Sequence, residues 1–189
     1  ITIPASVTSI GSNAFIGTYN LTYITVNQPN TQYKDISGVL FNSSGATLIQ
    51  YPVGNTARTS YEIPDGVITI ETNAFYNAAN LTSISIPKSV TSIGANAFFG
   101  MTNLTNITVY QPNAYYKDIS GVLYDSSGAT LIQYPISDPT TSYEIPASVT
   151  TIEQNAFIYA QKLTNVTFAQ NSQLISIGSN AFFNATGLT

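Results

Sequence analysis

The sequence lacks three residue types that carry much of protein chemistry: it contains no His, no Cys and no Trp. Without His and Cys, the commonest general base, the commonest imidazole or thiolate metal ligands and the thiol nucleophile are all missing. No disulfide framework is possible either. No G-x-S-x-G motif is present, and the nine acidic residues are scattered without an evident convergent pair. We therefore expect no enzymatic activity, no metal site and no cofactor.

Charge is also scarce. Charged residues make up 7% of the chain, against about 25% in typical soluble proteins, so Thr, Ser, Asn and Tyr must supply the polar surface. The net charge is −4, and the five Lys and Arg residues are spread between Lys34 and Lys162. This gives no basic patch, so we expect no nucleic-acid partner and no anionic-membrane partner. No apolar run approaches the ~18 residues of a membrane helix, so we expect no membrane insertion by this chain.

What the sequence does contain is a repeat. The tripeptide Asn-Ala-Phe begins at five positions: Asn13, Asn73, Asn96, Asn155 and Asn180. The step from Asn73 to Asn96 gives a basic period of 23 residues. Such a period is typical of a solenoid, in which no single repeat can bury its apolar residues alone and the copies must stack. Stacking predicts a continuous aromatic spine along the molecule, formed by Phe15, Phe75, Phe98, Phe157 and Phe182.

Each repeat predicts one main strand. In Leu81–Ile86 the apolar residues alternate with polar ones, which is the pattern of a strand with one buried face. Pro87 then ends the strand, since Pro has no backbone donor. The following Val-x-x-Ile segment predicts a second, shorter strand. Asn-Ala-Phe-x-Gly/Asn then predicts a short helical segment, since it is too short for more than a turn or two of 3₁₀ or α helix.

The complete unit, IPxSVTSIGxNAFxGxxNLTxIxI, resembles the bacterial surface leucine-rich repeats of the BspA type, also called the Treponema pallidum class. The resemblance implies a β-rich solenoid of the α/β leucine-rich-repeat class, with a right-handed superhelix, a parallel concave sheet and short helical turns. It also implies a secreted or surface-anchored protein of a host-associated bacterium, with a role in adhesion or protein binding. We expect residues 1–189 to form a single domain, cut from a longer array whose signal, anchor and capping repeats lie outside it.

Two near-identical inserts, residues 28–64 and 111–146, interrupt the period. In each, two apolar segments flank a polar turn with a Gly, Asn42–Gly45 in the first insert and Asp125–Gly128 in the second. This pattern predicts a β-hairpin. The sequence leaves open whether the hairpin projects or joins the solenoid wall. Asp35 and Asp118 are expected to be solvated charges in turns.

The first candidate binding surface is the outward row of the main strands, since leucine-rich repeats usually bind through their concave sheet. Its residues are Thr25, Glu62, Ser85, Thr108, Glu144 and Thr167, with Tyr23 and Asn106 beside them. The alternative interpretation is that Thr and Ser simply suit solvent-facing strand positions.

The second candidate surface is formed by the Tyr residues of the inserts, with Tyr115 and Tyr116 the preferred contacts, because Tyr is favoured at binding surfaces. The alternative is that these rings cover the hairpin and the wall.

Together these observations predict a non-catalytic, monomeric module, extracellular or on a cell surface, that binds a host or bacterial surface protein or a glycan. The competing hypothesis is a passive spacer or surface-layer element without a ligand of its own.

Overall fold

The structure, a computed structural model, describes residues 1–189 and consists of β-strands joined by turns, with no helix. In chain order the strands are β1 (Thr2–Ile3), β2 (Thr25–Val26), β3 (Tyr33–Ile36), β4 (Val39–Asn42), β5 (Thr47–Gln50), β6 (Ser60–Glu62), β7 (Thr69–Ile70), β8 (Ser83–Ile86), β9 (Ser92–Ile93), β10 (Asn106–Val109), β11 (Tyr116–Ile119), β12 (Val122–Asp125), β13 (Thr130–Gln133), β14 (Ser142–Ile145), β15 (Thr151–Ile152), β16 (Asn165–Phe168) and β17 (Ser176–Ile177). Successive coils stack as the repeat predicts, so the chain is a β-solenoid.

One wall of the solenoid, which we call the front sheet, consists of the main strand of each repeat. All its pairings are parallel, and it comes in three segments: β1–β2, β6–β8–β10 and β14–β16. In β8 and β10, Ile84, Ile86, Ile107 and Val109 point inward and are buried, while the polar residues between them are half-exposed. The predicted main strands are confirmed, and so are the buried faces of β8 and β10. In β16 the inward residues are less covered: Val166 is half-buried and Phe168 is 45% exposed. The sheet is interrupted at each insert.

The opposite wall consists of two five-stranded rear sheets, and each contains the first three strands of one insert. In the first, β3, β4 and β5 form an antiparallel meander, and β5 then pairs in parallel with β7, which pairs with β9. The second repeats this order with β11, β12, β13, β15 and β17. The predicted hairpins are β4–β5 and β12–β13. The question left open by the sequence is settled: the hairpin joins the wall.

The prediction of helical turns is wrong, for a reason that lies in the backbone. In each Asn-Ala-Phe loop the Asn adopts φ between 56° and 66°, and the residue four positions later also has positive φ, as in Gly17 and Asn77. Left-handed residues cannot continue a right-handed helix. Instead, alternate N–H groups of the loop donate to the next coil: those of Asn73 and Phe75 bond the carbonyls of Ala95 and Ala97 at 3.2 and 2.9 Å.

The predicted continuous spine of Phe rings is wrong as well. The rings form two separate stacks, and each begins with a buried Tyr contributed by an insert. Tyr51 stacks on Phe75 with centroids 5.4 Å apart, and Phe75 stacks on Phe98 at 5.8 Å. The second stack runs through Tyr134, Phe157 and Phe182, at 5.0 and 4.9 Å. Phe15 lies outside both stacks, because the first insert separates its coil from the next.

Each insert also terminates a segment of the front sheet. The N–H groups of Ile24 and Val26, which would donate to a further strand, donate instead to the Gly38 carbonyl at 3.0 Å and to Asp35 Oδ1 at 2.8 Å. Asp118 does the same for Val109 at 2.8 Å. The expectation that Asp35 and Asp118 are solvated turn charges is therefore wrong: each lies within a strand and caps the edge of a sheet.

Candidate binding surface

The outward side chains of the front sheet lie in register rather than merely near one another. Along β6, β8 and β10, Glu62 pairs with Ser85, and Ser85 with Thr108. Two residues earlier on the same strands, Ser83 pairs with Asn106. The Asn106 Nδ2 donates a hydrogen bond to Thr108 Oγ1 at 2.9 Å. Glu62 is exposed and the others are half-exposed. The middle segment therefore presents two parallel rows of small polar groups, which we call the polar face.

The structure does not join all the predicted row residues into one surface. Thr25 pairs with Thr2 in the first segment of the front sheet, and Glu144 pairs with Thr167 in the third. The inserts separate these pairs from the polar face. Tyr23 is 46% exposed and its ring lies over Gly38 in the turn of the first insert; a side chain at Gly38 would overlap this ring.

The predicted Tyr contacts of the inserts differ in accessibility. Tyr115 is 53% exposed. Tyr116 is half-buried, and its hydroxyl accepts a hydrogen bond from the Ile93 N–H at 3.1 Å, as Tyr33 does from Ile10 at 2.9 Å. Four other Tyr rings of the inserts are buried in the core, as the alternative interpretation held: Tyr51, Tyr61, Tyr124 and Tyr134.

Sequence reasoning missed an exposed ring at the end of β10. Tyr110 directly follows β10 and is 41% exposed, whereas the first insert has Asn27 at the equivalent place. Tyr115, in the second insert, is the next exposed ring along the chain. The difference between Asn27 and Tyr110 in otherwise near-identical segments was the available signal.

Two buried Tyr hydroxyls of the second insert have raised pKa values. Burial raises the pKa of Tyr134 to about 12, although a hydrogen bond to Thr140 partly offsets it. Burial likewise raises the pKa of Tyr124, as does its hydrogen bond with the Tyr143 hydroxyl. Groups that stay neutral across the physiological range are suited to packing.

The sequence matches the family model described as the BspA type leucine rich repeat region, in six copies covering residues 1–58, 51–135 and 136–189. The chain belongs to the BspA-type leucine-rich repeat family. The match covers the inserts as well as the regular coils, since residues 1–58 include β3 to β5 and residues 51–135 include β11 to β13.

Solved structures with this architecture come from bacterial proteins. The chain resembles a leucine rich cell surface protein of Faecalibacterium prausnitzii, with 29% identity and a TM-score of 0.65 over 93% of this chain and 50% of that one. The pneumococcal vaccine antigen PcpA gives 21% identity and a TM-score of 0.65, over 100% of this chain and 43% of PcpA. A leucine-rich repeat protein of Eubacterium ventriosum gives 22% identity and a TM-score of 0.60, over 97% of this chain and 57% of that one.

This BspA-type chain therefore spans about half the length of the solved structures it matches. A sequence comparison with curated proteins gave no match. The structure holds no helix of the length and apolarity that a bilayer crossing requires.

Proposed function

We propose that this chain is a non-catalytic binding module of a secreted or cell-surface protein, and that it recognises a protein or a glycan through its polar face. The observation that carries the proposal is the register of that face: Glu62, Ser85 and Thr108 lie side by side on adjacent strands. Strands of a sheet lie about 4.8 Å apart, so the hydroxyl and carboxyl groups form a rigid, closely spaced row. A rigid row can make several polar contacts at once without ordering flexible loops on binding.

The exposed rings of Tyr110 and Tyr115 extend the proposed surface. They follow the strand that carries Thr108, and Tyr offers a large contact area at low cost in conformational entropy. We therefore place the centre of recognition at β10 and the beginning of the second insert. The same place in the first insert has Asn27 and Gln32, so the two inserts are not expected to contribute equally.

The extracellular location rests on membership of a family with surface relatives, of which the protein of Faecalibacterium prausnitzii is described as a cell surface protein. We propose that the module acts as a monomer.

A binding screen against extracellular-matrix proteins and a glycan array tests the proposal. A saturable ligand with Kd of about 10 μM or tighter is expected, an affinity of about −7 kcal/mol. Ser85→Lys with Thr108→Lys should weaken that binding at least tenfold, and Tyr110→Ala with Tyr115→Ala should also weaken it. Thr91→Lys with Ser92→Lys, at exposed positions by the rear sheet, is the matched control and should change nothing.

The competing proposal is a spacer without a ligand. It is supported by the near-identity of residues 28–64 and 111–146, because a spacer needs only regular stacking. Silence in the screen, or equal effects of the front and rear variants, would favour the spacer.

A further inference from the structure

The inserts create two equivalent clefts on the side of the solenoid formed by the Asn-Ala-Phe loops, away from the polar face. A regular coil runs from its rear strand into a loop such as residues 71–77, whereas the insert coil turns back at Tyr51 and Pro52. The insert coil therefore lacks this loop. A gap remains between the loops of the preceding and following coils.

Adjacent regular coils leave no such gap. A Cβ built on Gly94 would overlap the backbone nitrogen of Thr72 in the preceding coil, so the loops of the two coils are in close contact.

The first cleft has a volume of about 380 Å³ and the second about 300 Å³. The walls of the first are Gly11–Asn13 and Glu71–Asn73, and its floor includes Ile49 and Gln50. The second uses the corresponding residues, with Gln133 in the floor and Glu153 in one wall. Asn73 Nδ2 donates to Asn13 Oδ1 across the first cleft at 2.8 Å, and Asn155 to Asn96 across the second at 2.8 Å. These bridges hold the width of each cleft.

Each cleft contains a buried glutamine whose side-chain nitrogen is hydrogen-bonded and whose side-chain oxygen is not. Gln50 is 8% exposed, and its Nε2 donates to the carbonyls of Tyr51 and Ala74 at 2.9 and 3.4 Å. Gln133 is 7% exposed and donates to Tyr134 and Ala156 at 2.9 and 3.3 Å. These bonds fix the orientation of each amide, and no protein donor reaches either Oε1. Each cleft floor therefore presents a preoriented acceptor.

The walls add a carboxylate on one side and backbone donors on the other. Glu71 and Glu153 are exposed, and none of the five Lys and Arg residues lines either cleft. On the opposite wall, the N–H groups of Asn13 and Phe15 have no acceptor, although those of Asn73 and Phe75 bond the next coil. Asn96 and Phe98 repeat this arrangement in the second cleft.

We infer that each cleft binds a basic side chain, Arg or Lys, presented by an extended peptide segment of a partner protein. The cationic head would donate to the carboxylate and to the glutamine Oε1, a charge-assisted arrangement that guanidinium suits best. The aliphatic stem of the Arg or Lys side chain would lie on the apolar part of the cleft floor. The carbonyl oxygens of the peptide would accept hydrogen bonds from the free N–H groups of the wall. The unpaired carboxylate and the absence of Lys and Arg disfavour an anionic ligand. Two clefts per chain make the module bivalent.

The test is a titration of ¹⁵N-labelled protein with acetyl-Ala-Arg-Ala-amide, followed by NMR. We expect saturable shifts of the Asn13, Phe15, Asn96 and Phe98 amides and of the Gln50 and Gln133 side chains, with two sites per chain. Acetyl-Ala-Gln-Ala-amide should give no saturation. Methylguanidinium, which lacks the peptide backbone, should bind more weakly than the Arg peptide.

Two double variants locate the site. Glu71→Gln with Glu153→Gln should weaken Arg-peptide binding by about tenfold or more. The control, Asp65→Asn with Glu144→Gln, removes the same charge from exposed positions outside both clefts and outside the polar face and should leave the binding unchanged. Glu71→Gln alone should spare the second cleft.

The inference is overturned if the Arg and Gln peptides bind equally, if no shifts appear, or if the control variant weakens binding as much as the cleft variant. None of these outcomes depends on whether the polar face has a ligand.

Discussion

The two inserts have one backbone and two different interiors. Both build a three-stranded meander, cap the front sheet with an Asp and head a ring stack with a Tyr. Yet Phe41 in the first insert is Tyr124 in the second, and Asn42 is Asp125. The backbone survives these exchanges because ring packing and backbone hydrogen bonds hold it, and both are independent of the added hydroxyl and charge.

The second insert supplies partners for the polar groups it buries. The hydroxyls of Tyr124 and Tyr143 bond each other, and that of Tyr134 bonds Thr140 Oγ1 at 3.0 Å. In the first insert the Tyr51 hydroxyl is buried without a hydrogen bond; Asn80 lies beside it, with its own Oδ1 also unpartnered. The fold therefore accommodates a buried Tyr hydroxyl in two ways: with a hydrogen-bond partner in the second insert, and without one in the first, where the desolvation of the hydroxyl lowers stability.

The largest effect should come from removing the ring that heads each stack. Tyr51→Ala and Tyr134→Ala should each lower the free energy of unfolding by about 3 to 5 kcal/mol, the usual cost of deleting a buried aromatic side chain. Urea denaturation followed by circular dichroism measures it. A loss below about 1 kcal/mol in either insert would show that the ring is not part of the core.

A smaller and asymmetric effect is expected at the Tyr124–Tyr143 pair. Tyr143→Phe leaves the fully buried Tyr124 hydroxyl without a partner and should cost about 1 to 3 kcal/mol. Tyr124→Phe should cost less, because Tyr143 is only partly buried and the exchange recreates the Phe41 and Tyr61 combination of the first insert. Equal losses in the same denaturation experiment would contradict this asymmetry.

Removing a single hydroxyl should have opposite consequences in the two stacks. Tyr134→Phe breaks a hydrogen bond and should cost about 1 kcal/mol. Tyr51→Phe removes a hydroxyl with no bond and should be neutral or stabilising, since no partner is left unsatisfied. Thermal unfolding of the two variants side by side measures the difference. A loss at Tyr51 as large as that at Tyr134 would mean that the Tyr51 hydroxyl is bonded after all, with Asn80 as its partner.

The smallest effect concerns pH. Burial alone would raise the pKa of Asp125, but hydrogen bonds from Ser127 and from the Thr130, Gly128 and Ala129 N–H groups outweigh it, so the pKa is lowered from 3.8. A lowered pKa in the folded state means that Asp125 adds stability above the unfolded-state pKa and loses it as pH falls through the folded-state value. Asp125→Asn, which copies Asn42, should remove this dependence. Identical stability curves of the two proteins between pH 2 and 6 would contradict it.

The sequence predicts the stacking and strand order well because both follow from periodicity. Alternation located β8 and β10, and the polar turns with Gly located both hairpins. The third insert strand, β3, was missed because Tyr33-Lys34-Asp35-Ile36 contains two charges; it is a strand because β4 pairs with it and because Asp35 caps the sheet. The role of Tyr51 was hidden for a related reason. The β5–β7 register places Tyr51 opposite Asn73 rather than opposite a Phe, so only the stacking of its ring on Phe75 shows that it heads the stack.

The candidate surfaces were less predictable. The row residues were identified, but sequence cannot show that the inserts divide them into three groups. The clefts were not predicted at all, since they arise from the loop that each insert coil lacks.

The central claim is that each insert is a coil of the solenoid wall without an outer loop, and residue-resolved amide hydrogen exchange tests it most directly. The Tyr51 and Tyr134 amides, bonded to Ala74 and Ala156 at 2.8 Å, should exchange as slowly as those of Phe75 and Phe157, which bond the next coil. The Phe15 and Phe98 amides, which face the clefts, should exchange much faster. Rapid exchange at Tyr51 and Tyr134, or equal protection of all four Phe amides, would contradict the account.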